Sequence, residues 1–109
     1  MRNLARKNPP GKRAWARRCA AQALYQWQLT GQEPAGIATQ FLADQDLGKA
    51  DPEYFRELVF QVPAHAEEID AVLTPFLDRP IVQVDPVERA ILRIGGYELM
   101  QRPDIAYRI

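Results

Sequence analysis

Apolar residues in this chain return every three or four positions, and the runs that carry this period are cut into short lengths by proline and glycine. No stretch of useful length alternates apolar and polar residues with the period of two that a half-buried strand requires. A chain patterned in this way folds as several short helices packed on one another. The fold class read from the sequence is all-α.

The helices are bounded as follows. Residues 1 to 11 end in Pro9-Pro10-Gly11, offer no periodic apolar face, and read as a flexible basic tail. From Lys12 to Leu29, Ala16, Cys19, Ala20, Ala23, Leu24 and Trp27 share one face, and Thr30-Gly31 closes the helix because glycine accepts the left-handed cap. A second helix spans Pro34 to Gln45, with Ile37, Phe41 and Leu42 inward. Asp51-Pro52 opens a third, buried through Tyr54, Phe55, Leu58, Val59 and Val62 and ended or kinked by Pro63. The fourth, Ala64 to Leu77, sets Ile69, Val72, Leu73, Phe76 and Leu77 inward, and Arg79-Pro80 follows it.

The fifth helix has the strongest start signal. Asp85-Pro86-Val87-Glu88 supplies an N-cap, a proline at the first position and a glutamate placed for a capping box. Its apolar period passes through Val87, Ala90, Ile91, Ile94 and Gly95 to Glu98-Leu99, reaching Met100 before Pro103. Gly95-Gly96 inside it costs roughly 1 kcal/mol per glycine relative to alanine, so close approach of a neighbouring helix is expected there.

At 109 residues, 47% of them hydrophobic, the chain builds one core and one domain, read here as residues 12–109 after the tail. Its single cysteine and single histidine exclude a disulfide framework, a multi-cysteine metal site and a histidine-pair site, and no cofactor is expected. Cys19 reads as a small core hydrophobe and His65 as a surface or capping residue. There is no serine, no glycine-rich phosphate loop and no HExxH pair, so the chain does not read as an enzyme. No apolar run approaches the length of a membrane span, and no signal-peptide core follows the basic start; a cytoplasmic protein is expected.

The formal charge of zero hides a division. Arg2, Arg6, Lys7, Lys12, Arg13, Arg17 and Arg18 give the first 18 residues +7 with no acidic group, and the remaining 91 carry seven cations against 14 anions, or −7. Such an arm either solubilises the chain or finds a polyanion. At 100° per residue from Arg13, the positions Arg17, Gln28, Ala21, Ala14, Tyr25 and Arg18 fall between about 40° and 140°, away from most of the core-facing arc, with Gln22 just beyond. Guanidinium groups fork onto phosphates, glutamine reads base edges and tyrosine stacks on an unpaired base, a combination suited to single-stranded RNA. The alternative is a solvated helix face with Tyr25 packed under another segment.

Three blocks carry a resemblance. They are Arg17-Arg18-Cys19-Ala20-Ala21-Gln22-Ala23-Leu24-Tyr25-Gln26-Trp27-Gln28-Leu29 with Gln40-Phe41-Leu42; Asp51 through Tyr54-Phe55-Arg56-Glu57-Leu58; and Val87-Glu88-Arg89-Ala90-Ile91-Leu92-Arg93-Ile94-Gly95-Gly96-Tyr97-Glu98-Leu99. In order and spacing, from about residue 12 to 109, they resemble the NusB transcription antitermination family. The resemblance implies a NusB-like helical bundle that binds boxA RNA of nascent ribosomal RNA transcripts. It does so together with NusE, a small-subunit ribosomal protein, and helps RNA polymerase in the elongation complex pass terminators. It assigns RNA contact to Arg13, Arg17 and Tyr25, with Arg18 and Gln22 adjacent, and it places Glu88 at the NusE-facing surface. Ala14 and Trp15 stand where relatives carry more arginine, and Arg6, Lys7 and Lys12 are then less specific phosphate partners.

The resemblance also implies that about five of the family's usual seven helices are present, since relatives continue past the position of Ile109 through two more. A C-terminally truncated chain is therefore expected to bind RNA more weakly than a complete relative. Two other readings stay open. One is the NusB-like RNA-delivery domain of an rRNA cytosine methyltransferase. The other is a self-associating helical fragment, a homodimer through its open apolar face that binds no RNA.

Overall fold

The computed structural model describes residues 11–44 and 47–106, and these are helical with no strand among them. Five helices carry the fold: α1 (Gly11–Thr30), α2 (Pro34–Asp44), α3 (Pro52–Ala64), α4 (Ala66–Leu73) and α5 (Pro86–Gln101). Single 3₁₀ turns at Thr74–Phe76 and Ile81–Gln83 join α4 to α5, and a one-turn α6 (Pro103–Ala106) follows. None of the described helices is long and apolar enough to cross a membrane. The basic tail expected over residues 1–11 lies outside the described residues except for Gly11, which begins α1.

Local chemistry sets the ends. Gly31 takes φ 71° and its amide donates to Trp27 O at 2.9 Å, closing α1 in the left-handed conformation that a side chain disfavours. Asp51 accepts from the amides of Glu53 (3.0 Å) and Tyr54 (3.2 Å), with Pro52 following as the first helical residue. Its own amide donates to Lys12 O at 3.2 Å, tying the start of α3 to the start of α1. Asp85 caps α5 in the same way through the amides of Val87 and Glu88. The side chain of Glu88 makes no return bond among the described residues and is exposed, so the cap is one-sided rather than a box.

The core gathers around α1. Ala16, Ala20, Ala23 and Leu24 are fully buried, and the alanines let α5 and α3 approach closely on either side. α2 adds Ile37, Ala38 and Phe41, and the Phe41 and Phe55 rings meet at 5.9 Å. Every inward position expected for α3 is buried: Tyr54, Phe55, Leu58, Val59 and Val62. Pro63 stays within the last turn of α3, where the helix is already ending at Ala64.

Two expectations change. The fourth helix stops at Leu73 instead of Leu77, because Pro75 has no N–H to continue the ladder; Thr74 Oγ1 closes the end by donating to Asp70 O at 2.6 Å. Phe76, expected inward, is 83% exposed as a result, and Val72, also expected inward, is 42% exposed.

The second change is larger. Val87, Ile91 and Leu99, assigned to the core side of α5, are 51%, 56% and 66% exposed, while Arg93, Gly96, Tyr97 and Glu98 are buried beside Ala90 and Ile94. The helix is rotated by roughly 100°, one residue's worth, from the orientation its apolar period alone prescribes.

The glycine pair divides along the same line. A Cβ on Gly96 would stand 2.9 Å from Ile69 Cγ2, so α4 does pack closely there, whereas a Cβ on Gly95 would meet nothing within 4 Å. We therefore expect Gly95→Ala to raise unfolding stability by about 1 kcal/mol. Gly96→Ala is expected to lower it by about 1–3 kcal/mol, because Ile69 is fully buried and has nowhere to shift. Urea denaturation of the two variants checks both signs.

Candidate nucleic-acid interface

Of the seven cations in the basic arm, Lys12, Arg13, Arg17 and Arg18 fall on α1 among the described residues; Arg2, Arg6 and Lys7 lie outside them. Lys12, Arg13, Arg18, Gln22 and Tyr25 are exposed, with Tyr25 38% accessible. From Lys12 to Tyr25 these residues span about 20 Å of the helix axis, enough for several nucleotides of an extended strand, and Arg18, Gln22 and Tyr25 share one side. Trp15 adds an aromatic ring to this surface. Its ring lies under the Arg18 guanidinium at 4.8 Å and is itself 37% exposed. The sequence signal was present in the three-residue spacing of an aromatic and a cation on one helix.

The polar arc of α1 is narrower than its azimuths indicate, because α5 lies along one edge. Arg17 and Gln28, at that edge, turn toward α5 instead of standing free. Gln28 Nε2 donates to Pro86 O at 2.8 Å, and its Oε1 accepts from Arg93 Nη1 at 3.1 Å. Arg17 Nε donates to Glu98 Oε2 at 2.8 Å, leaving its side chain 23% exposed. The other edge, with Ala14, Arg18 and Tyr25, stays open.

Glu98 is 2% exposed and also accepts from the Tyr54 hydroxyl on the same oxygen, Oε2. Arg17 lies over the Tyr54 ring at 6.0 Å and Arg102 lies over it at 5.7 Å. A second cluster adjoins the first: Tyr97 donates to Glu57 Oε2 at 2.6 Å and Arg102 Nη1 donates to Glu57 Oε1 at 2.7 Å. A third pins α5 to α4, where Arg93 grips Asp70 through Nε at 3.0 Å and Nη2 at 2.8 Å. None of these partnerships was visible in the helical periodicity. The one hint was the charged residue Glu98 falling in step with the apolar positions of α5.

Burial and the hydrogen bond to Glu98 hold the Tyr54 hydroxyl well above the ordinary tyrosine value, and burial with the bond to Glu57 does the same to Tyr97. Burial also raises the Cys19 thiol, against the lowering effect of Arg18, so Cys19 is a half-buried packing residue and not an activated nucleophile. His65 sits between α3 and α4 with Nδ1 3.0 Å from Gln61 O. Among the described residues no group of three His, Cys, Asp or Glu is placed to hold a metal ion.

Glu88 occupies a different surface, in the first turn of α5. It is exposed, and the exposed Ile91 and Val87 lie together to one side of it on the helix. A carboxylate beside uncovered aliphatic side chains suits contact with another protein better than contact with RNA.

The tyrosine clusters generate a pH prediction. A tyrosine whose folded value is raised keeps a proton that the unfolded chain gives up above its ordinary value of 10.0, so its contribution is complete below that pH and is lost above it. We expect the urea midpoint to fall as pH rises from about 9 to about 11. The Tyr54→Phe/Tyr97→Phe double variant, though less stable at neutral pH, is expected to show a flatter dependence.

Comparison with known proteins bears on this geometry. The family model described as "NusB family" matches residues 15–109. The transcription antitermination protein NusB of Aeromonas hydrophila is 48% identical over 100 residues, which cover 92% of this chain and 73% of that protein. The protein of the same name from Nitrosococcus oceani is 53% identical over 98 residues, covering 90% and 66% respectively. That of Alcanivorax borkumensis is 48% identical over 100 residues, covering 92% and 67%. The match thus takes in α1 from its first turns through α5 to residue 109, including the face that bears Arg17, Arg18, Gln22 and Tyr25, and this chain belongs to the NusB family.

Proposed function

We propose that this chain is an RNA-binding factor in transcription antitermination that takes boxA single-stranded RNA of nascent ribosomal RNA transcripts on the open face of α1. It recruits NusE through the surface around Glu88, and the complex helps RNA polymerase in the elongation complex read through terminators. Its relatives are named for transcription antitermination and not for an enzymatic reaction. The implied location is the cytoplasm, where such transcripts are made. The observation that carries the reading is that Arg18, Gln22 and Tyr25 stand exposed together on one side of α1, with Lys12 and Arg13 exposed in its first turn, while the helix's opposite side is buried in the core.

The roles divide by chemistry. Lys12, Arg13 and Arg18 neutralise phosphates, with Arg6 and Lys7 extending the same charge toward the chain start. Tyr25 offers a ring for an unstacked base, and Gln22 offers both a donor and an acceptor to a base edge. Arg17 contributes from the boundary with α5. Glu88, Val87 and Ile91 form the protein-facing patch.

The test is a fluorescence titration of boxA RNA across salt concentrations. Tyr25→Ala is expected to weaken binding by about 1–3 kcal/mol with little change in salt slope. Arg13→Ala is expected to lessen the slope by about 0.7, the value for one phosphate on a single strand. Unchanged affinity in both variants would remove this face from the RNA path. Glu88→Lys is expected to leave RNA binding by the chain alone intact while abolishing co-assembly with NusE.

The uncovered Val87, Ile91 and Leu99 favour one further reading, self-association through α5. Light scattering of the chain with and without NusE separates the two: a dimer that NusE does not dissociate would favour self-association.

A further inference from the structure

Two arginines meet buried or half-buried carboxylates across α5, and they do so differently. Arg93 binds Asp70 with two nitrogens and Gln28 with a third, and its side chain is 10% exposed. All three nitrogens of its guanidinium are used inside the protein. Arg17 binds Glu98 through Nε alone, at 2.8 Å. Its Nη1 and Nη2 have no hydrogen-bond acceptor among the described residues, and its side chain is 23% exposed, at the edge of the row that ends in Tyr25. The carboxylate that holds it is 2% exposed and is itself held by the Tyr54 hydroxyl, whose ring lies 6.0 Å from the Arg17 guanidinium.

We propose that Glu98 is a positioning residue for the RNA surface: from inside the core it clamps Arg17 at Nε and presents the two free ends of the guanidinium fork to a backbone phosphate. The inference rests on the reading of α1 as the RNA face. The physical reason is preorganisation. A free arginine at the surface samples many rotamers and loses that freedom when it engages a phosphate, whereas one already tethered at Nε has lost most of it on folding. The arrangement also requires arginine. A lysine at position 17 carries its three N–H donors on one nitrogen, so an ammonium seated on Glu98 has no second nitrogen projecting outward to a phosphate as the arginine fork does.

The test is the boxA titration over a salt series with five variants of the full chain. Glu98→Met removes the acceptor and the charge together, and is expected to weaken binding about three- to tenfold and lower the salt slope by about 0.7. Glu98→Gln also removes the charge but can still accept from Nε, so it is expected to retain most of the affinity. Arg17→Lys is expected to lose nearly as much as Arg17→Ala although the formal charge is unchanged. In an Arg17→Ala background, Glu98→Met is expected to have no further effect on binding.

A Glu98→Met protein that binds as well as the parent would overturn the proposal, as would an equal loss with arginine 17 already removed. So would an Arg17→Lys chain with parental affinity and slope, a result that remains readable if Glu98→Met does not fold. If Tyr25→Ala and Arg13→Ala weaken binding while these variants do not, only this inference fails. If none of them matters, the RNA face itself is wrong.

Discussion

The rotation of α5 about its own axis is set by two charged side chains. Arg93 must reach Asp70 and Gln28, and Glu98 must reach Arg17 and Tyr54, and only one orientation of the helix satisfies both. Burying a charge without a partner costs several kcal/mol, more than the roughly 1.5–3 kcal/mol gained by burying one aliphatic side chain. The helix therefore turns its polar residues inward and leaves Val87, Ile91 and Leu99 in contact with solvent. Such buried pairs are weak sources of net stability but strong determinants of orientation, because every alternative strands a charge.

That orientation organises both surfaces assigned to function. Facing α1, α5 covers one edge of the polar arc, capturing Gln28 and Arg17 and leaving Arg18, Gln22 and Tyr25 open. Facing away, it presents Glu88 beside Ile91 and Val87. A single helix thus borders the face proposed for RNA and carries the patch proposed to meet a protein. The charge division of the sequence runs the same way: seven cations and no acidic residue fall in the first 18 residues, while the remaining 91 carry a net −7.

The helix boundaries were legible because they depend on residues adjacent in the chain. Asp51-Pro52 and Asp85-Pro86 cap and start α3 and α5 through their own neighbours' amides, and Gly31 ends α1 through its own backbone freedom. The inward face of α3 was legible because its apolar residues have no competing polar residue among them. Where local signals competed, the apolar period misled. Pro75 broke a helix that the pattern extended to Leu77, and two adjacent glycines that look alike in sequence proved different, Gly96 against Ile69 and Gly95 against nothing. Trp15 stood out only as a departure from arginine until the Arg18 guanidinium was found over its ring.

By itself the sequence determined an all-helical chain, the caps, the core stripe of α1 and the exposed cation-and-tyrosine row, since each follows from propensity, periodicity or charge within a few residues. Only the tertiary structure decided which side of α5 is buried, which arginine is consumed within the protein and which is left with free donors. Those outcomes turn on partners 23 to 81 residues apart, Arg93 with Asp70 and Arg17 with Glu98. The desolvation of a charge is decided by what packs over it, and no local pattern records that.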